Sequence, residues 1–318
     1  MATNVVRFFH NNSVQWGVVL GDRIAPIPGT YETTHDFIES NPIEIVREIA
    51  SQASPTLRFT DVQVMSPVTV NQQFLCLGAN YRQHMIESGL NPDHKSYNMV
   101  FTKAPSCISP ANTDVVKPSN VKFLDYEIEL GIVIKRGLFG ATAVTKNNLH
   151  EYVAGMVVVN DYSARDIQIP QTQFYKGKSF RTFGPVGPYL CLLERSEMHY
   201  LESMELTLTV NGKVRQKDST ANMVWNVSET LSELSSVHDL DVGDLIATGT
   251  PAGCALAVPS PLKQRVAAVL PDSTKWRLFN KIQSKRAQYL QPGDLVEASI
   301  RSSDAQIDLG LQRNRIVA

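Results

Sequence analysis

One stretch of the chain, FLDYEIELGIVI at positions 123–134, constrains the fold more than any other. At the two-residue period of a β-strand, its even-numbered positions form a continuous apolar face. The opposite face carries three carboxylates in a row, those of Asp125, Glu127 and Glu129. Because like charges repel and removing a charge from water is costly, a stable fold must place neutralising groups in front of this row.

This stretch alone does not identify the group that neutralises the carboxylates. Glu127 and Glu129 lie about 7 Å apart at the backbone, so both side chains can reach one cation. Their oxygen atoms would favour magnesium, manganese or calcium over zinc. The alternative is a solvent-facing polar side of an antiparallel strand, which is the commoner origin of such a pair. A third ligand would favour the metal site.

A third acidic ligand can come from GMVVVNDYSARDIQ at positions 155–168. Its apolar run ends at Asn160 and Asp161, and polar groups at the end of a buried strand are often site residues. Arg165, Asp166 and Gln168 follow. For Asp166 we prefer a structural ion pair with Arg165.

Two loops add polar groups that can act on a substrate. Lys178, in KGKSF, is either an exposed lysine or a positive charge for an enolate or a carboxylate. A nucleotide-binding phosphate loop would need glycine where Thr172 stands, so that motif is excluded. Thr250 lies in DLIATGTPAG, a tight loop that can present backbone N–H groups and a hydroxyl to an anion. Alone, this loop is a weak signal.

A histidine and a glutamate in GANYRQHMIESG form a candidate acid/base pair. His84 and Glu87 are three residues apart, so a helical turn would place them on one face. The carboxylate could then orient the imidazole as a general base. The alternative is a surface histidine with an unrelated acidic neighbour.

Composition limits the classes of partner. Lys and Arg number 30 and Asp and Glu 31, so a net charge of −1 gives no reason to expect nucleic acid or a membrane surface. No apolar run reaches the about 20 residues of a membrane-spanning helix, and the start lacks the pattern of a secretory signal. Four widely spaced cysteines without C-x-x-C suggest neither a zinc cluster nor disulfides. We therefore expect a soluble, cytoplasmic protein.

The pattern of short apolar runs predicts a mixed α/β fold that is mainly β. Residues 1–68 are expected to form a small N-terminal α/β domain with a helix that Thr34 caps. Residues 69–318 are expected to form a mainly antiparallel β-rich catalytic domain, with VNGK at 210–213 as a hairpin turn.

The segment 262–290 differs from its surroundings because it is helical in propensity and strongly basic. Seven basic residues and one acidic residue give it a charge of +6. We favour a solvated face as the explanation. The alternatives are a subunit contact and a lid that attracts an anionic substrate.

Taken together, the motifs resemble the fumarylacetoacetate hydrolase family. The matching stretches, in the family's order, are LGANYRQHMIESG, FLDYEIELGIVI, GMVVVNDYSARDIQ, KGKSF with TFGPVGPYL, GDLIATGTPAG, and LQPGDLVEASI with LGLQRNRIV. The chain departs from the family at Arg181, where relatives commonly carry aspartate, and in the length of the basic segment.

The resemblance implies a β-rich roll of the family's own type and a homodimer. It implies that Glu127, Glu129 and Asp161 bind Mg²⁺ or Mn²⁺, with Ca²⁺ possible in crystals, and that His84 and Glu87 form an acid/base dyad on a lid. The expected substrate contacts come from the following residues: Tyr81, Arg82, Arg165, Gln168, Lys178 and Thr250.

The expected activity is metal-dependent hydrolysis of a carbon–carbon bond in a 1,3-diketo acid, such as an acylpyruvate or a fumarylacetoacetate-like compound, in the catabolism of aromatic or related compounds. The same metal site would also serve a decarboxylase, an isomerase or tautomerase, or a hydratase of a related oxo acid. A metal-binding relative without turnover is a third alternative, but it would need neither His84 nor Lys178.

Overall fold

The computed structural model describes residues 3–53, 55–95, 97–258 and 269–318. Strands contribute more residues than helices, which confirms the predicted mixed, mainly β class. Among the described helices, none has both the length and the apolar composition that a bilayer crossing requires.

The strands lie along the whole chain. Up to residue 125 they are β1 (Thr3–His10), β2 (Ser13–Leu20), β3 (Arg23–Pro26), β4 (Leu57–Arg58), β5 (Gln63–Met65), β6 (Phe74–Gly78), β7 (Met99–Thr102), β8 (Ile108–Pro110), β9 (Val115–Val116) and β10 (Leu124–Asp125). After it they are β11 (Ile128–Ile134), β12 (Val153–Asn160), β13 (Ser163–Ala164), β14 (Gly184–Val186), β15 (Leu190–Leu192), β16 (Met204–Val210), β17 (Lys213–Ser219), β18 (Leu245–Ala247), β19 (Leu295–Ser302) and β20 (Asp308–Val317).

The helices are short. They are α1 (Thr34–Ser40), α2 (Ile43–Gln52), α3 (Arg82–Glu87), α4 (Leu149–Tyr152), α5 (Arg165–Gln171), α6 (Tyr175–Lys178), α7 (Val227–Ser235) and α8 (Asp272–Gln283). Short 3₁₀ helices lie at Phe59–Asp61, Pro105–Cys107, Arg195–Glu202 and Thr220–Asn222.

Two large sheets carry most of the strands. The main path of the larger sheet is β4-β3-β2-β1-β15-β12-β11-β18-β6-β7, and the smaller sheet has the order β17-β16-β19-β20-β9. Most strand pairs are antiparallel, as predicted, and the parallel ones are β8 with β14, β6 with β18, and β9 with β20. The predicted hairpin is confirmed, because Val210 pairs with Lys213 across the turn between β16 and β17.

Strands β11 and β12 lie at the centre of the molecule and are buried on both faces. The face that bears Ile128, Leu130 and Ile132 packs in one core with side chains of the smaller sheet. The opposite face packs through Val133 against a second core that includes residues of α1 and α2. The carboxylate row of Glu127 and Glu129 is therefore interior, not the solvent-facing side of a strand.

The larger sheet continues across the predicted domain boundary. Strand β1 pairs with β15, where Thr3 faces Leu192 and Val5 faces Leu190. Strands β1–β5 thus extend the sheet that carries the central strands. The position of the boundary between residues 68 and 69 stays a prediction.

The N-terminal helical stretch differs from the prediction in two ways. Thr33, not Thr34, is the cap, since its hydroxyl accepts a hydrogen bond from the Asp36 N–H at 3.1 Å. The hydroxyl of Thr34 donates to the carbonyl of Pro67 at 2.9 Å. The stretch also divides at Pro42 into α1 and α2, because proline lacks the N–H that a continuous helix would need.

The basic segment is only partly described. Lys263 and Arg265 lie outside the described residues. Arg277 and Lys281, on α8, are exposed, which agrees with a solvated face, whereas Arg286 after the helix is half-buried.

Candidate active site

The central strand pair brings three carboxylates to one face. Glu127 directly precedes β11 and Asp161 directly follows β12, and the N–H of Asp161 donates to the carbonyl of Glu127 at 2.8 Å. Glu129 lies two residues further along β11, on the same face. One carboxylate oxygen from each residue lies within 4.8 Å of the others. We call Glu127, Glu129 and Asp161 the carboxylate triad.

Buried cations stand in front of the row. The Nε of Arg165 donates to Asp125 at 2.9 Å, and its guanidinium also contacts Glu127. The Nζ of Lys178 donates to Glu127 at 2.7 Å and contacts Asp161 as well. Lys178 is 3% exposed, so the alternative of an exposed lysine is excluded.

A second lysine, which the sequence analysis missed, completes the cluster. Lys103 follows β7, and its Nζ donates to Asp161 at 2.5 Å and to the carbonyl of Phe183 at 3.0 Å. The side chain of Lys103 is fully buried. The sequence signal that could have found it is the one that pointed to Asp161, a polar residue where a strand ends.

The pKa values in this cluster follow burial and pairing. Burial alone would raise the pKa of Glu127, but Arg165 and Lys178 hold it below its ordinary value. Burial alone would lower the pKa of Lys178, but Asp161 and Glu127 raise it above its ordinary value. Lys178 is therefore a fixed positive charge at neutral pH and not a base.

Glu129 has no cationic partner among the described residues. Its carboxylate accepts the N–H of Gly249 at 2.8 Å. Burial, and then the charges of Asp161 and Glu127, raise its pKa well above the ordinary value. Because three oxygen donors converge and no salt bridge reaches Glu129 among the described residues, the triad fits a hard divalent cation.

Glu127 and Glu129 of the triad line a cavity of about 730 Å³. Its polar wall includes Glu127, Glu129, Arg165, Gln168, Lys178 and Thr250. Its apolar wall includes Leu77, Met99, Phe101, Ile169, Phe174 and Leu256. A cavity of this size and mixed character is typical of a small-molecule site.

The predicted acid/base pair lies on this cavity. His84 and Glu87 both belong to α3, as predicted, and both line the cavity. The Nδ1 of His84 is buried without a hydrogen-bond partner among the described residues, so no bond to Glu87 orients the ring here. Burial lowers the pKa of His84. The positive charges of Arg165 and Lys178 also lower it, whereas the carboxylates of Glu127 and Glu87 raise it. The net result is a lowered pKa, so the imidazole is neutral at pH 7.

The GTPAG loop binds the protein's own carboxylates. Besides Gly249, the N–H groups of Ala255 and Leu256 donate to Asp125 at 2.7 and 3.0 Å. The hydroxyl of Thr250 donates to the carbonyl of Ile128 at 2.9 Å. The predicted anion site therefore holds the carboxylate row in place.

Of the remaining residues predicted to contact substrate, some line the cavity and others do not. The side-chain oxygen of Gln168 accepts from Arg165 at 2.8 Å, and both residues line the cavity. Tyr81 is fully buried and Arg82 is exposed in an ion pair with Asp93 at 2.5 Å, and neither lines the cavity.

The predicted ion pair between Arg165 and Asp166 is wrong. The carboxylate of Asp166 accepts the N–H groups of Lys122 and Phe123 at 2.9 and 3.2 Å. Asp166 is therefore a structural residue that holds the backbone immediately before the carboxylate row. Arg181, the departure noted above, lies exposed on the surface.

Comparisons with known proteins identify a matching family and related chains. The family profile described as fumarylacetoacetate (FAA) hydrolase C-terminal matches residues 73–317. Oxaloacetate tautomerase YisK of Bacillus subtilis is 36% identical over 197 residues, which cover 61% of this chain and 64% of that protein. The match thus spans less than two thirds of the length of this relative.

Solved structures match over almost the whole chain. Fumarylacetoacetate hydrolase from Exiguobacterium antarcticum is 27% identical, with a TM-score of 0.75 and 99% of each chain covered. A probable 2-hydroxyhepta-2,4-diene-1,7-dioate isomerase from Mycobacterium abscessus is 28% identical, with a TM-score of 0.72, covering 99% of this chain and 98% of that one.

Proposed function

This chain belongs to the fumarylacetoacetate hydrolase family, and from that membership we propose that it is a metal-dependent hydrolase that cleaves a carbon–carbon bond in an acylpyruvate. The observation that carries the proposal is that His84, Lys178 and the triad residues Glu127 and Glu129 line one cavity. A base, a fixed positive charge and a candidate metal centre are the parts that hydrolysis of a diketo acid needs.

The carboxylate triad would hold Mg²⁺ or Mn²⁺, which when bound supplies Lewis acidity toward the oxygens of an oxo acid. Arg165, Lys178 and Lys103 hold Glu127 and Asp161 in place. Gln168, fixed by Arg165, presents its amide to the cavity.

His84 acts as the general base of the reaction. It takes a proton from a water molecule as the water oxygen attacks the distal carbonyl carbon of the substrate. The carbon–carbon bond then breaks, and its electron pair passes into the enolate of pyruvate, near the ammonium group of Lys178. The proton on His84 returns to the enolate carbon, so that one water yields pyruvate and a carboxylic acid.

A tautomerase acting on a related oxo acid is the second candidate. The likeness to the oxaloacetate tautomerase of Bacillus subtilis favours it. A neutral base beside a positive charge would move a proton between carbon and oxygen without attack by water. A binding protein without turnover has less support, because His84 and Lys178 both line the cavity.

We also propose a cytoplasmic homodimer, as the family resemblance implies. All four cysteines are buried thiols, which suits a reducing compartment.

A substrate panel tests the proposed function. Purified protein with Mg²⁺ is offered acylpyruvates and oxaloacetate, with and without chelator, while the ultraviolet absorption of the enol is followed and products are identified by mass. We expect metal-dependent loss of acylpyruvate absorption with release of pyruvate and an acid, and about 10²–10⁴-fold slower cleavage in His84→Ala.

The other outcomes are equally clear. Release of CO₂ would indicate decarboxylation, and interconversion of keto and enol forms without fragments would indicate a tautomerase. Unchanged absorption of every acylpyruvate, or full activity in His84→Ala, would contradict the proposed hydrolysis.

A further inference from the structure

Two arginines outside the catalytic cluster lie on the same cavity. Arg215, on β17, and Arg286, after α8, both line it. We call them the distal arginine pair. Arg286 belongs to the basic segment whose length sets this chain apart from the family pattern.

Both arginines pack against the loop that follows Thr250. The Nε of Arg286 donates to the carbonyl of Ala255 at 2.5 Å. The carbonyl of Arg215 is so close to Gly253 that a Cβ at this glycine would lie 2.1 Å from it. The hydroxyl of Tyr126, which also lines the cavity, donates to the carbonyl of Gly253 at 3.2 Å. One loop thus contacts both arginines, and both line the cavity.

No carboxylate of this chain neutralises the distal arginine pair. Neither guanidinium forms a salt bridge within residues 3–53, 55–95, 97–258 and 269–318. The rest of the sequence, at positions 1–2, 54, 96 and 259–268, contains no aspartate or glutamate. The Nε of Arg215 is buried and has no hydrogen-bond partner among the described residues.

Such an arrangement is costly unless an anion completes it. A buried donor without a partner loses the hydrogen bonds that water would give it. The triad, by contrast, already has Arg165, Lys178 and Lys103 beside it. The wall of the cavity therefore combines Glu127 and Glu129 of the candidate metal centre, two guanidinium groups without a carboxylate partner, and apolar side chains such as Phe101 and Leu256.

We propose that the distal arginine pair binds a second carboxylate of the substrate, so that the enzyme prefers an oxo acid with a carboxylate at each end over one with an apolar tail. This inference rests on the proposed function, because it assumes that the oxo-acid end lies at the triad. Guanidinium groups suit this role, since they donate to carboxylates through several N–H groups at once.

A matched ligand pair tests the proposal without turnover. 2-Oxoadipate and 2-oxohexanoate have chains of equal length and differ at the distal end, which is a carboxylate in the first and a methyl group in the second. Calorimetric titration into the Mg²⁺-loaded protein measures the Kd of each. We expect 2-oxoadipate to bind about 10- to 100-fold tighter, as paired charges at a partly buried site would give.

Single substitutions show which arginines cause the preference for 2-oxoadipate. Arg215→Gln and Arg286→Gln should each reduce the ratio of the two Kd values by about 10-fold, mainly by weakening binding of 2-oxoadipate. Arg286→Lys should retain part of the preference because it keeps the charge. Arg277→Gln removes an exposed arginine of α8 and should leave the ratio unchanged.

Equal affinity for the two acids, or a preference that survives both glutamine variants, would overturn the distal subsite while leaving the proposed hydrolysis intact. Failure of both acids to bind would overturn the placement of the oxo-acid end at the triad, and the subsite with it.

Discussion

At the scale of single residues, Lys103 holds Asp161 in the position of a candidate metal ligand. Its ammonium group is fully buried and holds one oxygen of Asp161, while Lys178 contacts the other oxygen. Burial would lower the pKa of Lys103, but Asp161 raises it above its ordinary value. Lys103 is thus a fixed charge that positions Asp161.

Lys103→Met should destabilise the protein strongly, because it leaves a buried carboxylate with one cation fewer. Removing one partner of a buried ion pair typically costs about 3–5 kcal/mol. Urea unfolding in the presence of chelator measures the change. Lys95→Met is the control, since Lys95 pairs with Glu229 on the surface at 3.0 Å, and its loss should cost less than about 1 kcal/mol. Equal costs for the two variants would contradict the assigned role of Lys103.

The pH dependence of cleavage tests the assigned role of His84. Burial lowers the pKa of this residue from 6.5, with Glu127 and Glu87 raising it and Arg165 and Lys178 lowering it. A general base is active when unprotonated, so the acid limb of kcat/KM should have its midpoint below pH 6.5. A midpoint above pH 7, or an acid limb that persists in His84→Ala, would speak against this role.

The sequence predicts part of the site and misses the rest for physical reasons. Strand periodicity places Glu127 and Glu129 on one face, and an apolar run that stops at Asp161 marks a strand end. Arg215 carries no comparable local pattern, and the strand end at Lys103 does not show which carboxylate that lysine meets. They reach the site only because distant strands meet, and spacing along one chain does not contain that information.

At the scale of elements, prediction from the sequence is correct where a single local pattern determines the structure. The VNGK turn has positive φ angles at Asn211 and Gly212, which these residues tolerate, and the hairpin forms as predicted. The break between α1 and α2 was missed, because the apolar pattern continues through Pro42 while the helix does not.

The loop after β18 shows how tertiary context changes the role of a motif. Its backbone N–H groups suit an anion, as predicted, yet Glu129 and Asp125 occupy them. The loop therefore stabilises the carboxylate row and, through Gly253 and Ala255, orients the distal arginine pair.

At the scale of the whole molecule, the smaller sheet packs on one face of the central strands, a core that includes α1 and α2 packs on the other, and the carboxylate row lies in the interior. The class of fold follows from the sequence, because alternating and continuous apolar runs specify strands. The continuity of the larger sheet through β1 and β15 does not, since strands far apart in sequence form that pairing. Each charge in this interior needs a nearby opposite charge, and within the carboxylate row Glu129 has no cationic partner among the described residues.

Direct titration of the full chain with Mn²⁺, followed by electron paramagnetic resonance, tests the candidate metal centre. We predict that the wild-type protein binds a single Mn²⁺ and that Glu129→Gln weakens this binding at least about 10-fold. Glu205→Gln, at an exposed position of β16, should bind as the wild type does. Unchanged Mn²⁺ affinity in Glu129→Gln, or no binding by the wild-type protein, would contradict the assignment of the carboxylate triad as a metal site.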